Sequence, residues 1–418
     1  MNAVVQADGG SADNTVAASP ATATTPDVTA EVTEHPEGTI GTMMVVDKPG
    51  MLSVIQDRGR YGYQRLGVPV NGVMDEWSHR VANILVGNDE WAATLEITLL
   101  GPSIHFDTDV LLAVSGAEIG LTIDGVAAPL NRALIVRKQA NVVFGKCHRG
   151  ARAYLAVRGG FNVTPVLESR STFVRGGFGG MEGRALLKGD HVAIGEADIG
   201  YPYLHAKLLR SDRADGTAAG AGATASASAS ASMPASFSSS PSSSGTPSAI
   251  SFLGGPVLPI ESHDAMLTAL RFIPGPQWHD FTEEAQRHFV ESDYRIHARS
   301  DRMGYRLEGP VLSLRAPLEM ISEATNFGTV QIPPDGQPIV LMADRQGAGG
   351  YPKMAYVITA DLPALAQAMP GELLGFEPVD IDAAEAAYLE REDALARLQH
   401  AARLTLHDVA PASDRTQG

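Results

Sequence analysis

Short apolar runs recur along two stretches of the chain. In the first stretch they are LLAVSG, IGLTIDGVAAPL, ALIVRK, ANVVFG and AYLAVRGGF, broken about every 8–12 residues by Gly, Asn or Asp. The second stretch repeats the pattern in PVLSLR, GTVQIPP, QPIVLMAD and AYVITAD. This spacing is typical of antiparallel strands in a barrel or sandwich, and Asp124-Gly125 between two runs indicates a hairpin turn. The pattern predicts a mainly β fold built from two related units.

Helical periodicity interrupts the strands at three places. In DEWSHRVANILVGN, Asp75 can cap the helix N-terminus and Gly87 can end it. A second helix is predicted over EEAQRHFVES, with Ala285 and Phe289 on its apolar side. The third, IDAAEAAYLEREDALARLQHAARL, is rich in helix formers, and Arg391 is the polar exception on its apolar side. The other members of that side are Ala384, Tyr388, Leu395, Leu398 and Ala402.

Low-complexity sequence separates the two apolar stretches. Residues 206–255 are dominated by Ala, Ser and Gly, which are too small to offset the entropy of ordering, so they predict a flexible linker or insertion. Residues 1–40 read as a disordered tail. The predicted organisation is a tail at 1–40, a β-barrel subdomain at 41–205, the linker at 206–255, a second β-barrel subdomain at 256–380, and a C-terminal helix and tail at 381–418.

Composition narrows the possible partners and the compartment. The 418 residues carry a net charge of -16, which opposes attraction to nucleic acid or to an anionic membrane. The single cysteine, Cys147, cannot close a disulfide within the chain and favours a reducing compartment. The first forty residues do not have the basic start and apolar run that are typical of a signal peptide, and no apolar run in the sequence approaches roughly 20 residues. We therefore expect a cytoplasmic protein that does not bind membranes.

Several common chemical motifs are missing. The only Gly-Lys pair, Gly145-Lys146, lacks the rest of a phosphate-binding P-loop. RGGFGGMEG has Glu182 where a dinucleotide loop has its third glycine, so it indicates a glycine-rich turn. The histidines form no zinc motif, and no metal site is predicted. Basic neighbours could activate Cys147, but its position at a strand end is more typical of an inert thiol.

An Asp-Arg pair followed shortly by Gly-Tyr occurs three times. The segments are DRGRYGY from Asp57, SDRMGYRLEGP from Ser300 and DRQGAGGY from Asp344. Arginine presents a planar fork of donors that matches a carboxylate, a phosphate or a cyclic amide, and glycine lets a ligand approach the backbone. For any single one of these three segments, an ordinary surface ion pair in a glycine turn would explain the same residues. Three such elements favour a binding role.

Polar side chains are densest between residues 322 and 357. They surround tight turns, including Pro333-Pro334-Asp335-Gly336, and two short apolar strands. Because short strands bring the loops at their ends together, this segment predicts a binding cleft. Its polar members are Glu323, Gln331, Asp335, Gln337, Asp344, Arg345, Gln346, Tyr351 and Lys353.

At these segments the chain resembles a known family. The ordered runs LSVIQDRGRYGYQRLGVPVNGVMD, ANILVGN, AATLEITLLGP, YLAVRGGF, GGFGGMEGRALLKGD, SDRMGYRLEGP, IPPDGQPIVLMADRQ and GGYP are similar to those of 5-oxoprolinase C subunits. These belong to the biotin-dependent carboxyltransferase A/B-subdomain group, whose members are also called allophanate hydrolase subunit 2 or kinase A inhibitor antagonist. The chain departs from the family pattern at Gly347-Ala348 and Asn326-Phe327.

The resemblance implies a fold and an activity. The fold is a pair of tandem cyclophilin-like β-barrels with a few short helices. The activity is the ATP-dependent opening of 5-oxo-L-proline to L-glutamate, carried out in the cytoplasm together with the A and B subunits of 5-oxoprolinase. ATP would be a co-substrate bound wholly or partly by a partner, since nucleotide motifs are missing here.

Two other interpretations stay open. One is the carboxyltransferase part of a urea carboxylase-type enzyme, which moves CO₂ from carboxylated biotin to an amide nitrogen. Biotin would then arrive on another protein, because Lys353-Met354 is not a biotin attachment site. The other is a regulatory binding subunit without chemistry, since one fold can serve different functions.

Residue roles are predicted from residue type and crowding. The predicted acid/base residues are Glu323, Asp335 and Asp344. The predicted substrate-binding residues are Arg302, Arg306, Gln331, Arg345, Gln346, Tyr351 and Lys353, with Asp344 a further candidate anchor. Structural or interface roles are predicted for Asp57, Arg58 and Asp301.

Overall fold

The computed structural model of the protein describes residues 41–196, 250–252 and 269–407. The predicted tail at 1–40, most of the predicted linker and residues 408–418 lie outside the described residues. The predicted subdomain boundaries near 205 and 255 lie outside them too, so that division stays a prediction. All described residues belong to one compact unit.

The first ten strands form one sheet. They are β1 (Met43–Lys48), β2 (Leu52–Gln56), β3 (Thr94–Thr98), β4 (Ser103–Phe106), β5 (Val110–Ile123), β6 (Val126–Ala127), β7 (Leu134–Val136), β8 (Val142–Val157), β9 (His191–Ala193) and β10 (Ile250–Phe252). The strand order is β10-β7-β5-β8-β4-β1-β9, with β2 joined through β3 to β8 and β6 joined to β5. Because β9 and β10 end this order and do not pair with each other over the described residues, the first unit is a half-barrel.

One short segment of the predicted linker is part of this sheet. Strand β10 pairs in antiparallel register with β7, which places residues 250–252 on the edge of the first unit. Three residues of the segment predicted as a linker or insertion over 206–255 thus form a strand. Composition alone does not separate a short edge strand from a linker.

Apolar side chains on the two faces of β5 enter different cores. Leu112 and Val114 belong to the large core inside the half-barrel. Leu111 and Ala113 belong to a smaller core on the opposite face, which also contains Val86. Successive strand residues point to opposite faces of a sheet, so a strand buried on both faces has a continuous apolar sequence.

The remaining strands build the second unit. They are β11 (Ala269–Pro274), β12 (Tyr294–Ile296), β13 (Gly304–Glu308), β14 (Glu323–Ala324), β15 (Thr329–Gln331), β16 (Ile339–Leu341), β17 (Ala348–Gly349), β18 (Lys353–Val357) and β19 (Leu373–Pro378). Seven of them close a barrel in the order β11-β18-β15-β16-β13-β12-β19, while β14 and β17 pair separately. The second unit is thus a closed barrel, and the predicted mainly β fold of two barrel-type units is confirmed. The predicted strand PVLSLR is wrong, because this segment makes only an isolated bridge from Leu314 to Phe281.

Local helix signals are confirmed. Helix α1 (Glu76–Val86) is capped by the side chain of Asp75, which accepts from the Ser78 N–H at 2.9 Å, and it ends at Gly87 with a positive φ of 75°. Helix α2 (Glu283–Glu291) buries Ala285 and Phe289 as predicted. Two further helices are α3 (Leu362–Gln367) and α4 (Ile381–His407).

The C-terminal helix α4 docks on α1. Leu395 and Leu398 of α4 pack against Val81 and Ile84 of α1 in one apolar cluster. Arg391, the polar exception on this side of the helix, stacks over the Trp77 ring at 5.0 Å. The helix is therefore part of the body of the protein. Within the described residues, no helix combines the length and apolar character needed to cross a bilayer.

The thiol of Cys147 is expected to be unreactive in the folded protein. Cys147 is 2% exposed within β8, and burial raises the pKa of its thiol to about 11, so the nucleophilic thiolate is scarce at neutral pH. Labelling with a disulfide reagent should be slow natively and complete after unfolding in guanidinium. Rapid stoichiometric labelling of the native protein would contradict this expectation.

Candidate functional site

The first Asp-Arg element ties two loops of the half-barrel together. The Asp57 carboxylate accepts from the Ser169 and Ser171 hydroxyls, each at 2.6 Å, and from the Arg170 N–H at 2.6 Å. It also accepts from the Gly59 N–H at 2.9 Å. Asp57 is therefore an organiser of this unit, in line with its predicted structural role.

A hydrogen-bonded chain leads from this loop to the second unit. The buried Arg60 guanidinium donates to the Ser171 carbonyl at 2.5 Å and to the Asn71 side chain at 2.7 Å. Asn71 in turn donates to the Asp344 carboxylate at 3.0 Å. Asp344 accepts two further bonds from Arg302, at 2.9 and 3.1 Å. The chain thereby links all three Asp-Arg elements.

A glutamate of the first unit closes the network. Glu96 is completely buried on β3, and it accepts from Arg302 across the interface. Its other oxygen accepts from the Tyr154 hydroxyl at 2.8 Å and the Met74 N–H at 2.9 Å. Burial opposes ionisation, but Arg302 and Arg152 outweigh it, so the pKa of Glu96 is lowered. The two units are thus joined by a buried, ionised salt bridge.

A cleft opens next to this network. Its walls come from the loop before α1, from α1 itself, from the second barrel and from α4. The lining side chains include Arg58, Tyr61, Glu76, Trp77, Arg80, Trp91, Phe327, Arg345, Tyr388, Arg391 and Glu392. The cavity volume of about 90 Å³ is below the roughly 300–1,000 Å³ of drug-sized pockets, which favours a small ligand.

Two arginines of the cleft come from Asp-Arg elements. Arg58 stacks on the rings of Tyr61 and Trp91, each 5.2 Å from its guanidinium carbon. Arg345 lies 5.9 Å from the Phe327 ring, and its hydrogen bond to the Met342 carbonyl is long at 3.4 Å. Among the described residues, neither has a carboxylate within salt-bridge distance. These two cations can therefore receive an anion.

The other cationic wall is neutralised by protein carboxylates. Arg80 contacts Glu392 of α4 at 2.6 Å, Glu90 at 3.0 Å and Glu76 at 3.3 Å. These contacts fix α4 over the cleft. Arg80 is accordingly a structural cation, because its donors are already engaged.

Glu76 is an acid/base candidate in the cleft that sequence reasoning missed. Its side chain is 48% exposed, and the part that is buried raises the pKa of its carboxyl above the ordinary value, against the opposing effect of Arg80. A carboxyl with a raised pKa can hold and release a proton closer to neutral pH. The only sequence signal for it was its position in the first turn of α1, which is also a common place for a purely structural acid.

A second polar cluster lies at β15 and β18 of the barrel. Lys353 is 1% exposed by side chain and contacts Glu323 of β14 at 2.6 Å. Gln331 is paired with Lys353 across the two strands and is 5% exposed. The structure therefore brings together three residues that the sequence assigned to one site.

The family model described as "Carboxyltransferase domain, subdomain A and B" matches residues 66–378 of this chain. The chain belongs to this family. The 5-oxoprolinase C subunit of Haemophilus influenzae is 34% identical over 341 residues, covering 82% of this chain and 92% of that protein. The protein of the same name from Escherichia coli is 33% identical over 342 residues, covering 82% and 93%.

A solved structure shares the fold. The crystal structure of the K. lactis urea amidolyase aligns with a TM-score of 0.68 and 28% identity, covering 87% of this chain but 20% of that one. The family of carboxyltransferase domains with subdomains A and B thus includes parts of larger enzymes. The resemblance seen in the sequence motifs is confirmed.

Most predicted site residues of this carboxyltransferase-family chain fall in three places. Arg345 lies in the cleft, where Arg58 joins it, although a structural or partner-facing role was predicted for Arg58. Arg302 and Asp344 lie in the buried network, where protein partners engage them; this placement favours a structural role. Glu323, Gln331 and Lys353 form the second cluster.

The other predicted residues lie apart from these places. Asp335 is exposed in its turn and accepts from the Gln337 N–H at 3.0 Å. Asp301 accepts from the Met303 N–H at 2.8 Å and shapes the turn before β13. Arg306, Gln346 and Tyr351 are exposed. Their assigned roles stay predictions.

Sequence reasoning missed the residues that complete the network and the cleft. They are Arg60, Asn71, Glu96, Arg152, Tyr154, Trp77, Arg80, Trp91 and Phe327. A usable signal was a charged residue inside an apolar strand, as at Glu96 in TLEIT, because such a charge needs a partner. Over the described ranges, no three His, Cys, Asp or Glu side chains lie together in a way that could hold a metal ion.

Proposed function

We propose that this chain is the C subunit of an ATP-dependent 5-oxoprolinase, which opens 5-oxo-L-proline to L-glutamate together with its A and B subunits. The observation that carries the proposal is the 33–34% identity to proteins of that name, over 82% of this chain and nearly their whole length. The cleft supports it because its chemistry suits a small planar anion.

The substrate has features that the cleft can recognise. Its carboxylate would lie between Arg58 and Arg345, the cleft arginines without a carboxylate partner among the described residues. Its flat lactam ring would pack on the aromatic side chains of Trp91 and Phe327. Glu76 would donate a proton to the ring nitrogen as the C–N bond of the lactam breaks, so that the nitrogen leaves as an amine.

The role of ATP follows from the stability of an amide. An unstrained lactam resists attack by water, so its carbonyl oxygen is activated by phosphorylation before the ring opens. The cleft is too small for a nucleotide beside the substrate, and the glycine-rich segment 176–183 is not set between a strand and a helix. These features favour a nucleotide site outside the cleft, and the proposal has ATP bound wholly or partly by a partner subunit and the complex located in the cytoplasm.

Reconstitution tests the proposal. The chain is mixed with the A and B subunits from the same source, and glutamate and ADP are measured after addition of 5-oxo-L-proline and ATP. The expected result is glutamate formation only when all subunits are present. Full activity without this chain, or none with all three, would reject the proposal.

Removal of either cleft arginine is expected to weaken substrate binding. Arg58→Ala or Arg345→Ala should raise the KM for 5-oxo-L-proline by about 10- to 100-fold, since a hydrogen bond to a charged group contributes roughly 1.5–3 kcal/mol. The matched control is Arg287→Ala, an exposed arginine on α2. An unchanged KM in both cleft variants would remove these two residues from the substrate site.

One observation favours a second candidate function. The likeness to the K. lactis urea amidolyase, with a TM-score of 0.68, supports transfer of CO₂ from biotin to an amide such as urea. Biotin would be carried by another protein. Biotin-dependent carboxylation of urea by the reconstituted complex, with no glutamate from 5-oxo-L-proline, would select this function. Partner binding with neither activity would indicate a regulatory subunit.

A further inference from the structure

The ammonium group of Lys353 is buried with little compensation. Its side chain is 1% exposed, and among the described residues its nitrogen has one hydrogen-bond partner, the Glu323 carboxylate at 2.6 Å. An ammonium carries three donors, and a buried charge is costly unless its donors are satisfied. Glu323 itself is 53% exposed by side chain, so its carboxylate can separate from Lys353 and be solvated by water. Lys353 thus has donor capacity that Glu323 does not use.

A second unused donor lies beside it. The Gln331 side-chain nitrogen is buried and has no hydrogen-bond partner within the part of the chain that the structure describes. Gln331 pairs with Lys353 where the β15–β18 register shifts by a residue. Such bulges redirect side chains and are over-represented beside active sites. Two neighbouring buried groups therefore have unused donor capacity: the Gln331 amide nitrogen has no acceptor among the described residues, and the Lys353 ammonium has one.

A small flap covers these donors. Strands β14 and β17 are two residues each and pair only with each other, joining Glu323 to Gly349. A Cβ atom at Gly349 would lie 2.4 Å from the Gln331 side-chain nitrogen, so this glycine lets the flap lie directly over the amide. Thr325 holds the flap closed through a 2.5 Å hydrogen bond to the Gln346 carbonyl.

We propose that Lys353 and Gln331 form a second binding site for a small oxyanion such as a carboxylate or phosphate group. When no ligand is bound, the Glu323 carboxylate occupies the position of this oxyanion. The unused donors require a ligand rich in acceptor atoms, and the buried ammonium requires a negative one. The inference rests on the proposed function only for the source of the oxyanion. That source is either the substrate carboxylate or the phosphate that ATP hydrolysis releases.

Calorimetric titration of the full chain tests this site directly. The probes are 5-oxo-L-proline and inorganic phosphate, used separately to distinguish the two sources. The background variant is Arg345→Ala, in which binding in the cleft is already weakened. Adding Lys353→Met or Gln331→Leu should weaken binding of at least one probe by about tenfold or more, because hydrogen bonds to ionised groups are the strong ones. Adding Arg287→Ala should leave it unchanged.

The Gln331→Leu variant separates ligand binding from structure. If the Gln331 amide has no partner, the leucine variant should keep the wild-type thermal midpoint. If an ordered water satisfies the amide for structural reasons, the leucine variant should have a lower thermal midpoint. Failure of both probes to bind the background variant, or equal affinity with leucine at this position for every probe that binds, would overturn the inference. Binding is measured on this chain alone. A reconstituted complex that forms no glutamate would therefore reject the proposed function but would not contradict this binding site.

Discussion

Replacing Arg302 with alanine is expected to lower the free energy of unfolding by about 3–5 kcal/mol, the usual cost of removing one partner of a buried ion pair. Glu96 and Asp344 are 0% and 7% exposed by side chain, and each would lose its nearest cationic partner, with only Arg152 left 3.9 Å from Glu96. Asp344 and Glu96 raise the pKa of Arg302 against the opposing effect of burial, so the guanidinium is charged at every working pH. The measurement is urea unfolding followed by circular dichroism.

Controls separate this effect from a general loss of charge. Arg287→Ala on the exposed side of α2 should change the free energy of unfolding by less than about 0.5 kcal/mol. If Arg302→Ala does not accumulate as folded protein, Glu96→Gln gives a second measurement, because it leaves Arg302 short of one charge partner. A loss below about 1 kcal/mol in Arg302→Ala would show that the network contributes little to holding the two units together.

The second large effect is a loss of stability in mild acid that depends on His79. Burial lowers the pKa of His79 from 6.5 to about 4, although Asp57 and Glu96 oppose this and Arg80 assists it. The folded protein therefore stays unprotonated at this ring while the unfolded chain takes up a proton below pH 6.5. Stability from this group is complete above pH 6.5 and falls toward pH 4, by about 3 kcal/mol in total.

A non-titrating variant isolates this contribution. His79→Asn can keep the hydrogen bond that the His79 Nδ1 makes with the Thr94 hydroxyl at 2.8 Å. The free energy of unfolding of this variant, measured by urea titration between pH 4 and 7, should depend less steeply on pH than that of the wild type. His279→Asn, at an exposed position, should keep the wild-type slope. Parallel pH profiles for wild type and His79→Asn would show that His79 is not the group responsible.

Local structure was predictable because its causes are local. The cap at Asp75, the end of α1 at Gly87 and the hairpin at Asp124-Gly125 depend on residues that are close in sequence. Asp124 and Gly125 indeed have positive φ angles of 49° and 79°. The wrong strand over PVLSLR shows the limit, because an apolar run becomes a strand only where a neighbouring strand offers a pairing edge.

The candidate site was only partly predictable. The three Asp-Arg elements did converge, but Arg302 went into the buried network while Arg58 and Arg345 reached the cleft. Nothing in the three similar segments separates these outcomes. The difference comes from two acids that are distant in sequence, Glu96 and Asp344, which both contact Arg302 in the folded protein.

The sequence by itself determined the mainly β character, the helix ends and the family, since these follow from periodicity, capping and ordered motifs. Only the tertiary structure decided that the first unit is a half-barrel, that α4 forms a wall of the cleft, and which arginines are left without a carboxylate among the described residues. The physical reason is that the state of a charge depends on what lies within a few ångströms in space. Residues that are far apart in the chain supply those neighbours.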